Sequence, residues 1–160
     1  MMERYNGDMI TNLTTLPDMP VLSENIKIKR AFPTDKGAIL QFVKENFDQG
    51  WVYETEAALM QTPPKCFIAT ENGKMLGFAC FDASAKGFFG PTGVSEDARG
   101  KKIGAALLIR TLQSMREFGY GYAMIGWVSD AEMFYRKLVN AEYIKGGEPE
   151  NSIYSNLISK

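Results

Sequence analysis

The stretch from residue 87 to residue 115 constrains the fold more than any other. Residues 87–94 read as a strand with Gly90, Pro91 and Gly93 inside it. Proline removes a ladder donor and the glycines permit close backbone approach, so an interrupted or bulged strand is expected. After it the apolar period changes to 3.6. Ala105, Leu108, Ile109, Leu112 and Met115 share one face, and Arg110, Gln113, Ser114 and Glu117 the other, which predicts an amphipathic helix ending at Gly119 and Gly121.

The remaining elements arrange themselves around this unit. Residues 25–30 alternate as a half-exposed strand, and Phe32-Pro33-Thr34-Asp35 opens a helix that carries Ile39, Phe42, Val43 and Phe47. A second helix is expected over about Glu54 to Met60, stopped by Pro63-Pro64. Residues 66–70 and 75–81 form a hairpin across Glu71-Asn72-Gly73-Lys74, where Asn-Gly supplies the two positive-φ positions of a type I′ turn. Residues 122–128 read as a buried strand, Ser129-Asp130 as the cap of a helix with Met133, Phe134 and Leu138, and residues 153–158 as a last edge strand. Residues 1–24 hold turn signals and no apolar period, so they are expected to form a lead-in arm, leaving 25–160 as one mixed α/β domain without internal repeats.

Composition narrows the chemistry. The chain has no histidine among its 160 residues, which excludes a Ser-His-Asp triad, a Cys-His pair, an imidazole base and the common zinc sites. The 18 basic and 19 acidic residues nearly cancel, so no overall field draws the chain to nucleic acid or to an anionic membrane. No apolar run approaches the ~20 residues of a membrane span, and Cys66 and Cys80 are expected to be reduced and buried. A cytoplasmic protein without a metal is the expectation.

Any affinity for anions must therefore be local, and the turn into the strong helix provides it. Gly100 and Gly104 clear the approach to the helix N-terminus, while Arg99, Lys101 and Lys102 place three cations within four positions. This reads as a phosphate cradle; the alternative is a solvated basic turn. A Walker loop fails here, because Ser95 and Lys102 occupy positions that need Gly and Ser or Thr, and no G-x-G-x-x-G occurs.

The segment resembles motif A of the GNAT superfamily, the acyl-CoA-dependent N-acetyltransferases, whose pattern is Arg or Gln, two residues, Gly, one residue, then Gly or Ala. Arg99, Ile103 and Gly104 fit, with Val94 ahead and Ala105 behind, while Lys102 stands at the first glycine. A lysine with ordinary helical dihedrals would keep the backbone donor and add charge. The likeness runs from about Ile26 to Ile158, and Ala131, Phe134-Tyr135 and Lys137-Leu138 resemble the family's helix after the fifth strand. Gly90-Pro91-Thr92-Gly93-Val94 with Gly126-Trp127-Val128 is similar to a subgroup associated with amino-sugar acetylation.

The resemblance implies a GNAT-like α/β fold, a twisted mixed sheet of about six or seven strands flanked by helices and splayed near Val94 and Trp127. It implies acetyl-CoA held by Thr92, Gly93, Val94, Arg99, Gly100, Lys101, Lys102, Ile103, Gly104 and Ala105. A small primary amine, an amino sugar among the candidates, would attack the thioester directly through a tetrahedral intermediate. Tyr135 would protonate the leaving thiolate, unless it is only a core aromatic. Acceptor binding falls to Trp51 and Tyr53, read on a loop, and to Trp127, the alternative being lids over a core. No general base is assigned, since Asp82, Glu96 and Asp130 each have a ready structural role. Other readings are a non-catalytic CoA-binding or anion-sensing module and a protein N-terminal acetyltransferase. A homodimer through the arm or the last strand is the expected assembly.

Overall fold

The computed structural model describes residues 5–158. In chain order it contains β1 (Gly7–Asn12), β2 (Ile26–Arg30), α1 (Lys36–Asn46), α2 (Gln49–Leu59), β3 (Cys66–Glu71), β4 (Lys74–Phe81), β5 (Phe88–Val94), α3 (Ile103–Glu117), β6 (Tyr122–Val128), α4 (Glu132–Val139) and β7 (Glu142–Tyr143). The strands form one sheet in the order β2-β3-β4-β5-β6-β1-β7. Only β5 and β6 run parallel; their connection is α3, as a parallel crossover requires.

Side-chain alternation along the central strands fills a core on each face of the sheet. Phe67, Ala69, Ala79 and Phe81 join α3 residues Ile103, Leu107, Leu108 and Leu112 on one face. Cys66, Ile68, Phe78 and Cys80 meet Ile39, Val43, Ala58 and Leu59 of α1 and α2 on the other. Both cysteines are free and buried. The hairpin turns through Asn72 and Gly73 at φ 52° and 83°, the expected type I′ geometry. Among the described residues no helix is long and apolar enough to cross a membrane.

Four expectations need correction. Residues 1–24 do not stand apart, because residues 7–12 form β1, inserted between β6 and β7; Met1 to Arg4 lie outside the described residues. The second helix begins at Gln49 rather than near Glu54, since Asp48 caps it by accepting the Trp51 N–H at 2.9 Å. The helix after β6 begins at Glu132 with Ala131 as its cap, leaving Asp130 exposed and outside the capping role. Residues 153–156 form a 3-10 turn instead of an edge strand, and the last strand is the two-residue β7.

Candidate active site

The site exists because β5 and β6 cannot stay paired. They meet only at Phe88↔Met124 and Phe89↔Ile125. Beyond that point β5 continues along β4, with Thr92↔Ala79, Gly93↔Phe78 and Val94↔Gly77. Meanwhile β6 continues along β1 but carries a bulge: Met9↔Ile125 and Gly7↔Val128 leave Gly126 and Trp127 opposite Asp8 alone. Trp127 takes the left-handed region at φ 47°, and the carboxylate of buried Asp8 accepts its N–H at 2.9 Å. A cleft of about 1090 Å³ opens between the strands. Two glycines let rings lie on its walls. A Cβ on Gly93 would enter the Phe47 ring, and one on Gly126 would enter the Tyr154 ring.

One end of the cleft is built by the turn into α3. Gly100 has φ 84°, and Lys102 caps the helix from the left-handed region at φ 65°, ψ 15°. The ordinary helical dihedrals expected of Lys102 are thus corrected: the position needs a positive φ, which explains why the family pattern has glycine there. The first intrahelical bond runs from Ala106 N–H to Lys102 O, at 3.1 Å, so the N–H groups of Ile103, Gly104 and Ala105 precede it and have no intrahelical acceptor. All three residues line the cleft, with Arg99, Gly100 and Lys102 beside them. Lys101 does not line it; its ammonium lies 3.8 Å from Glu71. Thr92, Gly93 and Val94 form the adjacent wall. Ser95 N–H bonds Leu76 O of β4, and by strand alternation Val94 N–H points to the opposite edge, where β6 has departed.

Tyr135 faces this wall from α4, whose end is turned by Asn140 at φ 54°, ψ 35°. Its side chain is only 7% exposed, and burial raises its phenol above the usual range, so it keeps its proton throughout neutral and moderately alkaline pH. Tyr135 is both a core aromatic, edge-on to Phe89 at 6.3 Å, and a lining residue.

The opposite end is aromatic and acidic. Trp51 lies on the first turn of α2 and not on a loop, packed on Phe47 at 5.1 Å and lining the cleft. Trp127 stacks on Tyr5 at 4.6 Å and donates through Nε1 to Pro149 O at 3.0 Å. Tyr53 is not in the main cleft; it is 60% exposed, on the outer side of α2. Three residues after Trp51, hence on the same helical face, stands half-buried Glu54. Its Oε2 accepts from Ser84 Oγ at 2.5 Å and from Tyr154 OH at 3.3 Å. Burial chiefly, and then the Glu54 charge, raise the Tyr154 phenol, so that donor also stays protonated.

Glu54 went unrecognised in the sequence because residues 46–53 read as a loop; the Asp48 cap was the signal for the earlier helix start. Of the three carboxylates considered there, Asp82 and Glu96 are placed away from the cleft and Asp130 lines it. Asp82 is held by Lys65 Nζ at 2.6 Å, Tyr120 OH at 2.8 Å and Gly87 N–H at 2.8 Å. Burial and that carboxylate push Tyr120 up to about 12. Glu96 is exposed on a 3-10 turn, and Asp130 sits at the cleft mouth. Among the described residues no group of three His, Cys, Asp or Glu side chains is arranged to hold a metal ion.

Comparison with known proteins agrees with this geometry. Residues 29–138 match the model of the Acetyltransferase (GNAT) family. A GCN5-related N-acetyltransferase from Sphaerobacter thermophilus superposes with a TM-score of 0.68 at 23% identity, covering 87% of this chain and 49% of its own. A glucosamine N-acetyltransferase region of a fungal multi-domain β-N-acetylglucosaminidase superposes at 0.67 and 17% identity, covering 89% of this chain and 20% of its own. A GNAT acetyltransferase from Brucella melitensis, solved with acetyl-CoA, gives 0.53 at 20% identity over 70% of this chain and 82% of its own. The chain thus spans about half the length, or less, of the first two. No curated protein matches by sequence. With the seven-stranded sheet, the β5/β6 splay and a family match over residues 29–138, the chain belongs to the acetyltransferase (GNAT) family.

Proposed function

We propose that the chain moves an acetyl group from acetyl-CoA to the primary amine of a small molecule by direct attack. The observation that carries this reading is the division of one cleft. Arg99, Lys102 and the open N–H groups of α3 occupy one end, and Glu54 among Phe47, Trp51, Trp127 and Tyr154 the other. The first end fits a polyphosphate and the second a cationic amine. The acetyl-CoA complex of the Brucella relative and the glucosamine activity named for the fungal one support the same reading. An amino sugar belongs to this acceptor class: its apolar ring face suits the aromatic walls, and its lower amine pKa makes deprotonation easier.

Acetyl-CoA supplies the thioester carbon that accepts the amine nitrogen and the sulfur that leaves. Glu54 binds the incoming ammonium and takes its proton; an alkyl amine with pKa about 10.4 costs ~4.6 kcal/mol to neutralise at pH 7 without such help. Ser84 Oγ and Tyr154 OH both donate to Oε2 of Glu54, and Oε1 is the oxygen that meets the amine. Val94 N–H donates to the oxygen on which negative charge develops, a contribution of ~3 to 4 kcal/mol for a preorganised donor. Tyr135, kept protonated by burial, delivers its proton to the departing sulfur, and the proton that the newly bonded nitrogen sheds as the amide forms restores the phenol, while the proton held by Glu54 is released to water.

The presence of Glu54 favours turnover over a CoA-sensing module. Tyr154 over Gly126, with Leu157 beside it, narrows the acceptor end to a pocket, which favours a small molecule over a protein N-terminus. Calorimetric titration with acetyl-CoA, against desulfo-CoA and ATP, comes first, followed by thiol release with primary amines. Glu54→Gln is expected to lower kcat/KM about 10²- to 10⁴-fold with acetyl-CoA affinity unchanged. Absence of binding at millimolar acetyl-CoA would overturn the proposal.

A further inference from the structure

The cleft continues past Glu54. A second cavity of about 340 Å³ shares Gly50, Glu54, Tyr154 and Leu157 with the main cleft, so the two are lobes divided by the Glu54–Tyr154 hydrogen bond. The remaining walls of the outer lobe are Tyr53, Ala57, Ala83 and Ser84. Tyr53 and Ala57, one helical turn apart on α2, form a continuous side. Neither lysine nor arginine lines this lobe. Two of its three side-chain hydroxyls, Ser84 Oγ and Tyr154 OH, are committed to Glu54, and the third is the Tyr53 phenol at the exposed rim. The surface offered to a ligand is therefore mainly apolar, and its rim holds two large apolar side chains left in water, Tyr53 at 60% and Leu157 at 66% exposure. A ligand entering from the main cleft would cover both.

We infer that the acceptor is a primary amine on an elongated, mainly apolar body, whose amino group meets Glu54 in the main cleft while its far end passes the Glu54–Tyr154 partition into the outer lobe. This rests on the acetyl-transfer reading and selects, among the amines it admits, arylalkyl or longer alkyl amines over a compact amino sugar. A sugar would bring several hydroxyl groups to walls that, apart from the Tyr53 phenol at the rim, have their side-chain hydroxyls committed to Glu54, leaving most of those groups with lost hydration. An alkyl or aryl tail loses nothing there and gains from burial, about fourfold in affinity per methylene placed out of water.

The test uses the full chain with two separate readouts. Calorimetry follows binding of an alkylamine series, a phenylalkylamine series and glucosamine to protein loaded with desulfo-CoA, and thiol release follows transfer from acetyl-CoA. Affinity and kcat/KM are expected to rise about fourfold per methylene, roughly sixtyfold across three, until the lobe is full. Ala57→Phe, which fills the lobe from an exposed helical position, is expected to bring the ratio of long to short amines close to one, and Tyr53→Ser to lower it several-fold; the affinity for acetyl-CoA reports that each variant is folded. A flat series, glucosamine preferred tenfold over the longer amines, or an unchanged ratio in Ala57→Phe would each overturn the inference. Length-dependent binding without thiol release would refute acetyl transfer and leave the lobe assigned. Thiol release without length dependence would refute the lobe and leave acetyl transfer standing.

Discussion

Lys102 offers a direct measurement of what the cleft costs the fold. Its backbone at φ 65°, ψ 15° lies where an L-residue pays about 1–2 kcal/mol, whereas glycine pays nothing there. Glycine loses about 0.4–1 kcal/mol more conformational entropy on folding, which offsets part of the gain. Lys102→Gly and Lys102→Ala remove the same ammonium and differ only in backbone freedom. The glycine variant is expected to be more stable than the alanine variant by about 0.5–1 kcal/mol, which in a domain of this size is a Tm difference of about 1–4 °C. Calorimetric melting of the two variants beside the parent chain measures it. Both variants should bind acetyl-CoA about fivefold more weakly at low salt, a loss of ~1 kcal/mol for one exposed charge, and the loss should fade as salt rises. Equal melting temperatures for the glycine and alanine variants would refute the argument, because they would show that the left-handed cap carries no strain.

Four further outcomes follow from the same geometry. Tyr135→Phe is expected to lower kcat while leaving acetyl-CoA affinity intact, checked by steady-state kinetics beside calorimetry. Burial raises the phenols of Tyr135, Tyr154 and Tyr120, the last to about 12. Since an unfolded phenol titrates near 10, their contribution to stability is complete below about pH 10 and is lost as pH rises through the folded values, so melting temperature should decline above pH 10, less steeply in Tyr135→Phe. Gly93→Ala forces a Cβ into the Phe47 ring and should cost about 1–3 kcal/mol, read as a fall in Tm and a changed emission of Trp51, which packs on that ring. Asp8→Ala leaves the Trp127 N–H without its acceptor and should cost about 1–3 kcal/mol in denaturant unfolding, whereas Asp8→Asn, which keeps an oxygen in place, should cost clearly less.

The parts of this fold that could be read from sequence are those in which local chemistry and tertiary position agree. The Asn72-Gly73 hairpin, the α3 periodicity and the bulged strand at Gly90-Pro91 all appear where local rules put them. β1 did not announce itself, because its inward positions include Asp8 and Thr11 beside Met9, and polar residues buried by specific bonds mimic a solvated arm. Thr11 gives its hydroxyl to Val139 O at 2.6 Å and Asp8 takes the Trp127 N–H, so each is satisfied by a partner more than a hundred residues away, which no local pattern reports. Residues 153–156 failed in the opposite direction. Their apolar alternation suits a strand, but the Ser152 hydroxyl accepts the Tyr154 N–H at 3.3 Å and turns the chain into a 3-10 segment, which sets Tyr154 against Gly126 and Glu54.

These long-range bonds are also what keep the site open. Of the five non-glycine residues with positive φ among the described residues, Asn72, Asp82 and Asn140 are types that tolerate the left-handed region through their short polar side chains. The other two, Lys102 and Trp127, are not, and both line the cleft, one at the turn into α3 and one on the β6 bulge. The two least tolerant residue types at positive φ among the described residues thus both stand on the cleft, and they are held there by different means. At Lys102 the amphipathic face of α3, docked into the core, fixes where the helix must start. At Trp127 the holding group is the Asp8 carboxylate on β1, together with Pro149 O on the indole. Strand β1, which carries no cleft chemistry of its own, therefore determines the shape of the cleft wall at Trp127, and loss of its pairing with β6 would let the bulge relax and close the space that the proposed reaction needs.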